Sequence, residues 1–256
     1  MIDQNGVNNI MSHADHPYVI CHMMSTIEGK IDSGIKGIDI LGDYYNLYSD
    51  LEKSFHPDAW MCGRVTSEMF AESVGTPLPE SSEMITPSDF RSAESGSGYM
   101  VAVDTKGTLR WKSNVLTFED QTVHHIIIVV VTEQTSTKYL KYLQNKNISY
   151  SISGKSEVNF ESLFRKLKSD FGINILALEG GGILNGSVQE VDLIDEISLL
   201  ITPQVLSRSE APTSFEKRGS ESVSLKKYTL LDVQKLENDT VWLRYKRGYE
   251  YHIPIN

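Results

Sequence analysis

Apolar residues along this chain fall into two alternating kinds of segment. Some form short unbroken runs; others recur every three or four positions, the spacing of one helix face. Tyr18 to Ser25 and Ala59 to Cys62 read as strands, as does Met100 to Val103. His125 to Val131 is the strongest such run and is expected in the middle of a sheet covered on both faces, ending at Thr132. Tyr44 to Phe55 carries Tyr44, Leu47, Tyr48, Leu51 and Phe55 on one side and predicts a core helix. Tyr139 to Leu143 and Phe160 to Leu167 predict two more, the latter through Phe160, Leu163, Phe164 and Leu167. Ile175 to Leu178 is too short for a helix and reads as a buried strand, followed by glycines and a helical segment. Tyr228 to Leu236 and Val241 to Tyr245 predict a closing hairpin about Asn238-Asp239. Val74 to Gly98, dense in Ser, Pro, Glu and Gly, predicts a long loop, and residues 1–17 a polar, mobile lead-in. The alternation implies an α/β fold, a mostly parallel central sheet flanked by helices with a C-terminal antiparallel hairpin.

At 256 residues and 40% hydrophobic content, the chain can bury a substantial core, which we expect to form one domain over residues 18–256. The formal net charge of -10 argues against nucleic acid or an anionic membrane as partner, since either needs a basic face. No apolar stretch reaches membrane-span length and the N-terminus lacks a signal-peptide core, so a cytoplasmic protein is expected. Cys21 and Cys62 both sit in apparent strands, excluding a disulfide framework and favouring small buried apolar roles. His124 and His125 are adjacent on a strand and point to opposite faces, so no metal site is expected there.

The candidate chemistry centres on Glu179-Gly180-Gly181-Gly182-Ile183-Leu184-Asn185-Gly186. Glycines at a strand-to-helix turn expose the first helical N–H groups, and these with the helix dipole favour an anion such as a pyrophosphate. Without a ligand the same glycines are only a tight turn. Glu179 would repel a phosphate, so its carboxylate is expected to accept hydrogen bonds from a polar substrate. Gly63-Arg64-Val65-Thr66 opens another helix with Thr66 as its expected N-cap, and Arg64 either meets a phosphate or serves a surface ion pair. Thr132 and Glu133, beyond the end of a central strand, are candidates for the ribose side of a cofactor.

Three ordered segments carry a resemblance. They are Met24-Ser25-Thr26-Ile27-Glu28-Gly29-Lys30-Ile31, Asp58-Ala59-Trp60-Met61-Cys62-Gly63-Arg64-Val65-Thr66, and Leu178 to Gly186 with Val191 to Glu196 and Ile201-Thr202-Pro203. Together they resemble the reductase domain of riboflavin biosynthesis, the RibD C-terminal family. The resemblance implies a dihydrofolate-reductase-like fold, a homodimer, and hydride transfer from NADPH to a ribosylamino carbon of an aminopyrimidine. Glu133 would repel a 2′-phosphate, which leaves NADH open. The resemblance further implies substrate contacts at Ser25, Lys30 and Glu179. It implies cofactor contacts at Gly63, Arg64, Thr66 and Gly180 through Gly186, including Ile183, Leu184 and Asn185. No catalytic acid or base is assigned. No arginine precedes Arg64, so Lys30, Lys36 and Lys53 are the cations available there for a substrate phosphate. A dihydrofolate-reductase-like enzyme acting on another carbonyl, pterin or imine is the alternative, as is a dinucleotide-binding protein without turnover. The zinc deaminase signature of bifunctional members does not occur.

Overall fold

The computed structural model describes residues 15–79, 85–94, 96–117, 124–217 and 225–248. In chain order these form β1 (Tyr18–Ser25), α1 (Tyr45–Lys53), β2 (Ala59–Gly63), α2 (Arg64–Ser67), β3 (Ser73–Val74), β4 (Gly98–Val103), β5 (Leu109–Arg110) and β6 (Val115–Thr117). There follow β7 (His124–Val131), α3 (Thr137–Asn145), β8 (Ser149–Ile152), α4 (Phe160–Phe171), β9 (Ile175–Leu178), α5 (Gly182–Glu190), β10 (Glu196–Ile201), β11 (Tyr228–Lys235) and β12 (Val241–Arg247). Of the expected lead-in, residues 1–14, including His13, lie outside the described residues. Among the described residues no helix is long and apolar enough to cross a membrane.

Contacts divide the described chain into two compact units, residues 15–17 and 56–176 in one, 18–55 and 177–248 in the other. In the first, β2, β4 and β7 run parallel. The other edge of β7 is shared, by antiparallel β6 at residues 124–126 and by parallel β8 at residues 128–131. Ile126 through Val131 are all buried, as a run covered on both faces must be, and each such side chain contributes about 1.5–3 kcal/mol. α3 buries Tyr139, Leu140, Tyr142 and Leu143, and α4 buries Phe160, Leu163, Phe164 and Leu167, the residues whose spacing predicted the second helix. Ser136 and Asn159 cap these helices by accepting from Lys138 N and Ser162 N, and Gly172, at φ 70°, ends α4 in the left-handed conformation. Between Val74 and Gly98 the described residues form no helix or strand beyond one bridge, Phe90 to Tyr150.

In the second unit β1 pairs parallel with β10, and antiparallel β12 and β11 extend the sheet as the predicted hairpin. Asn238 and Asp239 both have positive φ, the mirror-image turn that matches strand twist. The buried carboxylates of Asp195 and Glu196 tie this hairpin down through Arg247 Nη2 (2.7 Å) and Arg244 Nε (2.6 Å). The α1 region lays Tyr44, Leu47, Tyr48 and Leu51 against Met24, Leu41 and Leu200. None of the nine helix residues is fully buried, however, so α1 covers the core rather than entering it. Both cysteines are buried and neither forms a disulfide.

Candidate active site

In the second unit β1 ends at the buried Ser25, whose carbonyl accepts from Thr202 N (2.8 Å) just beyond the end of β10. The chain then runs back over the turn that follows β1. Ile27 N donates to Gln204 O, the Glu28 carboxylate accepts from Leu206 N and Ser207 N, and Ile31 N donates to Pro212 O. Lys30 Nζ donates to Ser209 O (3.2 Å) and Ala211 O (2.8 Å). Residues 202–213 are thus a strap held by backbone and side-chain bonds, and the Lys30 ammonium is one of its fasteners.

The strap continues onto α5. Glu216 N donates to Gly182 O (2.9 Å), and Asn185 Nδ2 to Ser214 O (2.9 Å). A Cβ on Gly182 would lie 2.2 Å from Thr213 O, and one on Gly186 would lie 2.0 Å from Glu216 O. These two glycines therefore admit the chain's own strap, a cause that reading them as a ligand turn did not anticipate. Gly180 is restricted by Leu184, whose Cδ2 would sit 2.6 Å from its Cβ. Gly181 differs: a Cβ there meets nothing within 4 Å. Gly181 is also the N-cap of α5 and brings no side-chain acceptor, so the first N–H groups of the helix are left to a ligand or solvent.

Glu179, next to this turn, faces α1. Its Oε1 is buried without a hydrogen-bond partner. Its carboxyl is raised well above the ordinary range, by burial first and by the charge of Glu52 second, while its contact with the Tyr48 hydroxyl acts the other way. That hydroxyl's hydrogen already goes to His22 O (3.0 Å), which limits what Tyr48 can offer. Glu52, one helical turn beyond Tyr48, is itself pushed up to about 7 by burial, with Lys53 opposing. Burial and the Glu52 charge thus both act against the ionised acceptor form expected from sequence.

His22 fixes Tyr48. The rings stack at 4.2 Å, and His22 Nε2 lies 3.0 Å from Tyr48 O. A carbonyl only accepts, so Nε2 carries the hydrogen. Trp242 Nε1 donates to Ser198 Oγ (2.8 Å), leaving the Ser198 hydrogen for His22 Nδ1 (2.9 Å). The imidazole is therefore neutral, and burial lowers its pKa to about 4 despite the Tyr48 carbonyl. A folded pKa below the unfolded value means that between pH 6.5 and 4 the unfolded chain binds a proton that the fold refuses. Stability from this group is complete above pH 6.5 and is lost, by about 3 kcal/mol, as pH falls to 4. Glu52 runs oppositely, its contribution being complete below pH 4.5 and lost as pH rises through about 7. Comparing denaturant unfolding of wild type with His22→Gln cancels the Glu52 contribution. The difference should shrink by about 3 kcal/mol from pH 7 to 4; a constant difference would mean that His22 titrates normally.

In the first unit, α2 begins at Arg64 with Gly63 as N-cap, so Thr66 lies inside the helix and does not cap it. The reason is local: the extended backbone ends at Gly63 (φ -78°, ψ 170°), three residues earlier than a Thr66 cap requires. Arg64 Nη1 pairs with Glu68 Oε1, the surface ion pair that sequence left open. A Cβ on Gly63 meets nothing within 4 Å. Thr132 is buried at the end of β7, its N–H bonded to Thr135 Oγ1 (3.0 Å), which in turn donates to Thr105 O (2.8 Å). His124 and His125 take different partners, Thr117 Oγ1 and Trp60 Nε1.

Of the residues singled out from sequence, the structure has Glu179, Ser25, Lys30 and the glycine helix in one unit and Gly63, Arg64, Thr66 and Thr132 in the other, where sequence reading had expected a single domain. Sequence reading missed His22, Glu52, Arg208 and Ser214, which meet the site only through contacts distant in sequence.

The RibD C-terminal domain matches residues 17–242. Over 233 residues the chain is 25% identical to the 2,5-diamino-6-ribosylamino-4(3H)-pyrimidinone 5′-phosphate reductase of Methanothermobacter thermautotrophicus, covering 91% of this chain and 93% of that protein. Two solved structures share the fold. Acinetobacter baumannii RibD superposes with a TM-score of 0.64 at 17% identity over 96% of this chain, which spans only 61% of that protein. A pyrimidine reductase-like protein from Corynebacterium diphtheriae gives 0.64 at 15% identity, covering 92% of this chain and 94% of that one. The fold is the dihydrofolate-reductase-like one that the motifs implied. From the match over 17–242, the chain belongs to the RibD C-terminal domain family.

Proposed function

We propose that this protein is an NADPH-dependent reductase of the riboflavin pathway. It transfers a hydride to the ribosylamino carbon of a phosphorylated aminopyrimidine and opens the ribosyl ring to a ribityl chain. Family membership and the likeness to a named reductase support the activity. One observation supports the place. Among the described residues, four of the five buried side-chain atoms without a hydrogen-bond partner are Glu179 Oε1, Asn185 Oδ1, Arg208 Nε and Ser214 Oγ. Glu179, Asn185 and Ser214 belong to the strand end, the helix and the segment bonded to it beside Gly181, and Arg208 lies further along the strap, beside Gly34. Buried polar atoms are rarely left unmatched, and such a concentration is what a polar ligand satisfies.

The uncapped start of α5, with Gly181 open beside it, suits a pyrophosphate, and Gly180 through Gly186 are assigned to holding it. On the first unit, Gly63, Arg64, Thr66 and Thr132 are assigned to cofactor contact, Arg64 at the expense of its pairing with Glu68. When bound, NADPH supplies the hydride. Ring opening also requires a proton on the departing ring oxygen, and Glu179, whose carboxyl burial shifts toward its protonated form, is the group assigned to give it, with Ser25 and Lys30 bordering the substrate. The remaining demands are orientation and exclusion of water.

Following absorbance at 340 nm while screening pyrimidine ribosyl phosphates, pterins and small carbonyls tests the reading. Oxidation with the phosphorylated ribosylaminopyrimidine alone supports it, and turnover of only another class, or cofactor binding without turnover, defeats it. We further assign residues 18–256 to a single reductase domain after a lead-in over 1–17, in a cytoplasmic homodimer. Light scattering at micromolar concentration should return twice the 28.8 kDa chain mass, and a monomer mass would count against the dimer.

A further inference from the structure

The strap leaves one cation unexplained. Lys30 is spent on two carbonyls, and Lys53 pairs with Asp50 at 3.1 Å. Arg208, midway along the strap, has a buried Nε with no hydrogen-bond partner. That nitrogen lies 3.7 Å from where a Cβ on Gly34 would stand, so the side chain runs beneath the 32–38 loop. The carboxylates of these segments are engaged elsewhere. Asp32 accepts from Gly34 N, Asp39 from Leu41 N and Gly42 N, and Glu28 from Leu206 N and Ser207 N. Glu210 is held below its ordinary pKa first by its own backbone N–H and then by the Ser209 hydroxyl, with Arg208 and Lys30 as lesser causes. A desolvated guanidinium nitrogen whose neighbouring carboxylates are bonded to backbone is matched to an anion from outside the chain.

We propose that Arg208 recognises the phosphomonoester of the substrate at the second unit's site. This rests on the reductase reading for the identity of the substrate. It also meets a deficit visible in the sequence, where no arginine precedes Arg64. The planar fork of arginine matches phosphate oxygens in pairs, which lysine cannot do. Lys30 contributes by fixing the 209–211 backbone that follows Arg208, and Lys36, exposed on the 32–38 loop, adds charge at longer range.

The test uses ribose 5-phosphate and ribose as probes by calorimetry, with NADPH affinity followed separately by fluorescence. Wild type should bind ribose 5-phosphate roughly 10-fold or more tighter than ribose. Arg208→Gln should weaken ribose 5-phosphate roughly 10- to 100-fold, and Arg208→Lys by less, with NADPH affinity unchanged in both. Equal ribose 5-phosphate affinity in wild type and Arg208→Gln overturns the proposal, as does wild type showing no preference for the phosphorylated sugar. Should Arg208→Gln fail to fold, a folded Arg208→Lys with wild-type affinity overturns it equally. Arg208-dependent sugar phosphate binding without any NADPH binding would sustain Arg208 and remove the reductase reading.

Discussion

Gly181→Val is expected to abolish measurable NADPH binding in a protein that still folds, whereas Gly186→Ala is expected to damage the fold itself. The two glycines sit on the same turn and helix but have different surroundings. Nothing in the chain lies within 4 Å of a Cβ on Gly181, so a valine there costs the empty protein little. In the proposed cofactor site it stands where the pyrophosphate would approach the uncapped N–H groups of α5, and loss of those charge-assisted bonds should weaken binding by roughly 100-fold or more. A methyl on Gly186 would lie 2.0 Å from Glu216 O, which is backbone and cannot swing aside. Displacing the strap should cost about 1–3 kcal/mol or more, readable as a lower denaturant midpoint. Unchanged NADPH affinity in folded Gly181→Val would remove the glycine turn from the cofactor site. A Gly186→Ala protein as stable as wild type would show that the strap is not seated where we place it.

That contrast marks where the sequence was readable. The strand and helix of residues 175–190 follow from a short apolar run, glycines and a periodic segment, all local signals. What the glycines are for is not local, because Thr213 and Glu216, which close over Gly182 and Gly186, lie about 30 residues downstream. The strap has no apolar period at all, and its bonds join Lys30 to residues 179 and 181 positions away. The same holds for α1. Its apolar face was visible, but Glu52 was not distinguishable from a solvated helix glutamate until Glu179 was placed beside it. His22 reads as one polar residue in a strand, and its neutral state follows only from Ser198 and Trp242. Thr66 was assigned as a cap because threonine favours that position, but the backbone turned helical sooner, at a glycine that has no side chain to cap with.

Glu179→Gln should lower kcat by about 100- to 1000-fold while leaving KM and NADPH affinity within a few-fold. Had Glu179 been ionised, the amide would have replaced an acceptor by a donor and the loss would fall on substrate binding. Burial and the charge of Glu52 instead favour the protonated carboxyl on which the proposed acid role depends, and a neutral acid and an amide have the same shape, with one donor and one acceptor side each. The substitution therefore keeps the hydrogen bonding of the bound ligand and removes only the proton that can be given to the ring oxygen. Loss of a positioned acid of this kind is typically worth the predicted factor. The split between the two kinetic constants carries the test. An unchanged kcat would show that another group supplies the proton, and a loss confined to KM would return Glu179 to the ionised, substrate-gripping role read from sequence. A large loss of NADPH affinity would show that it serves the cofactor instead.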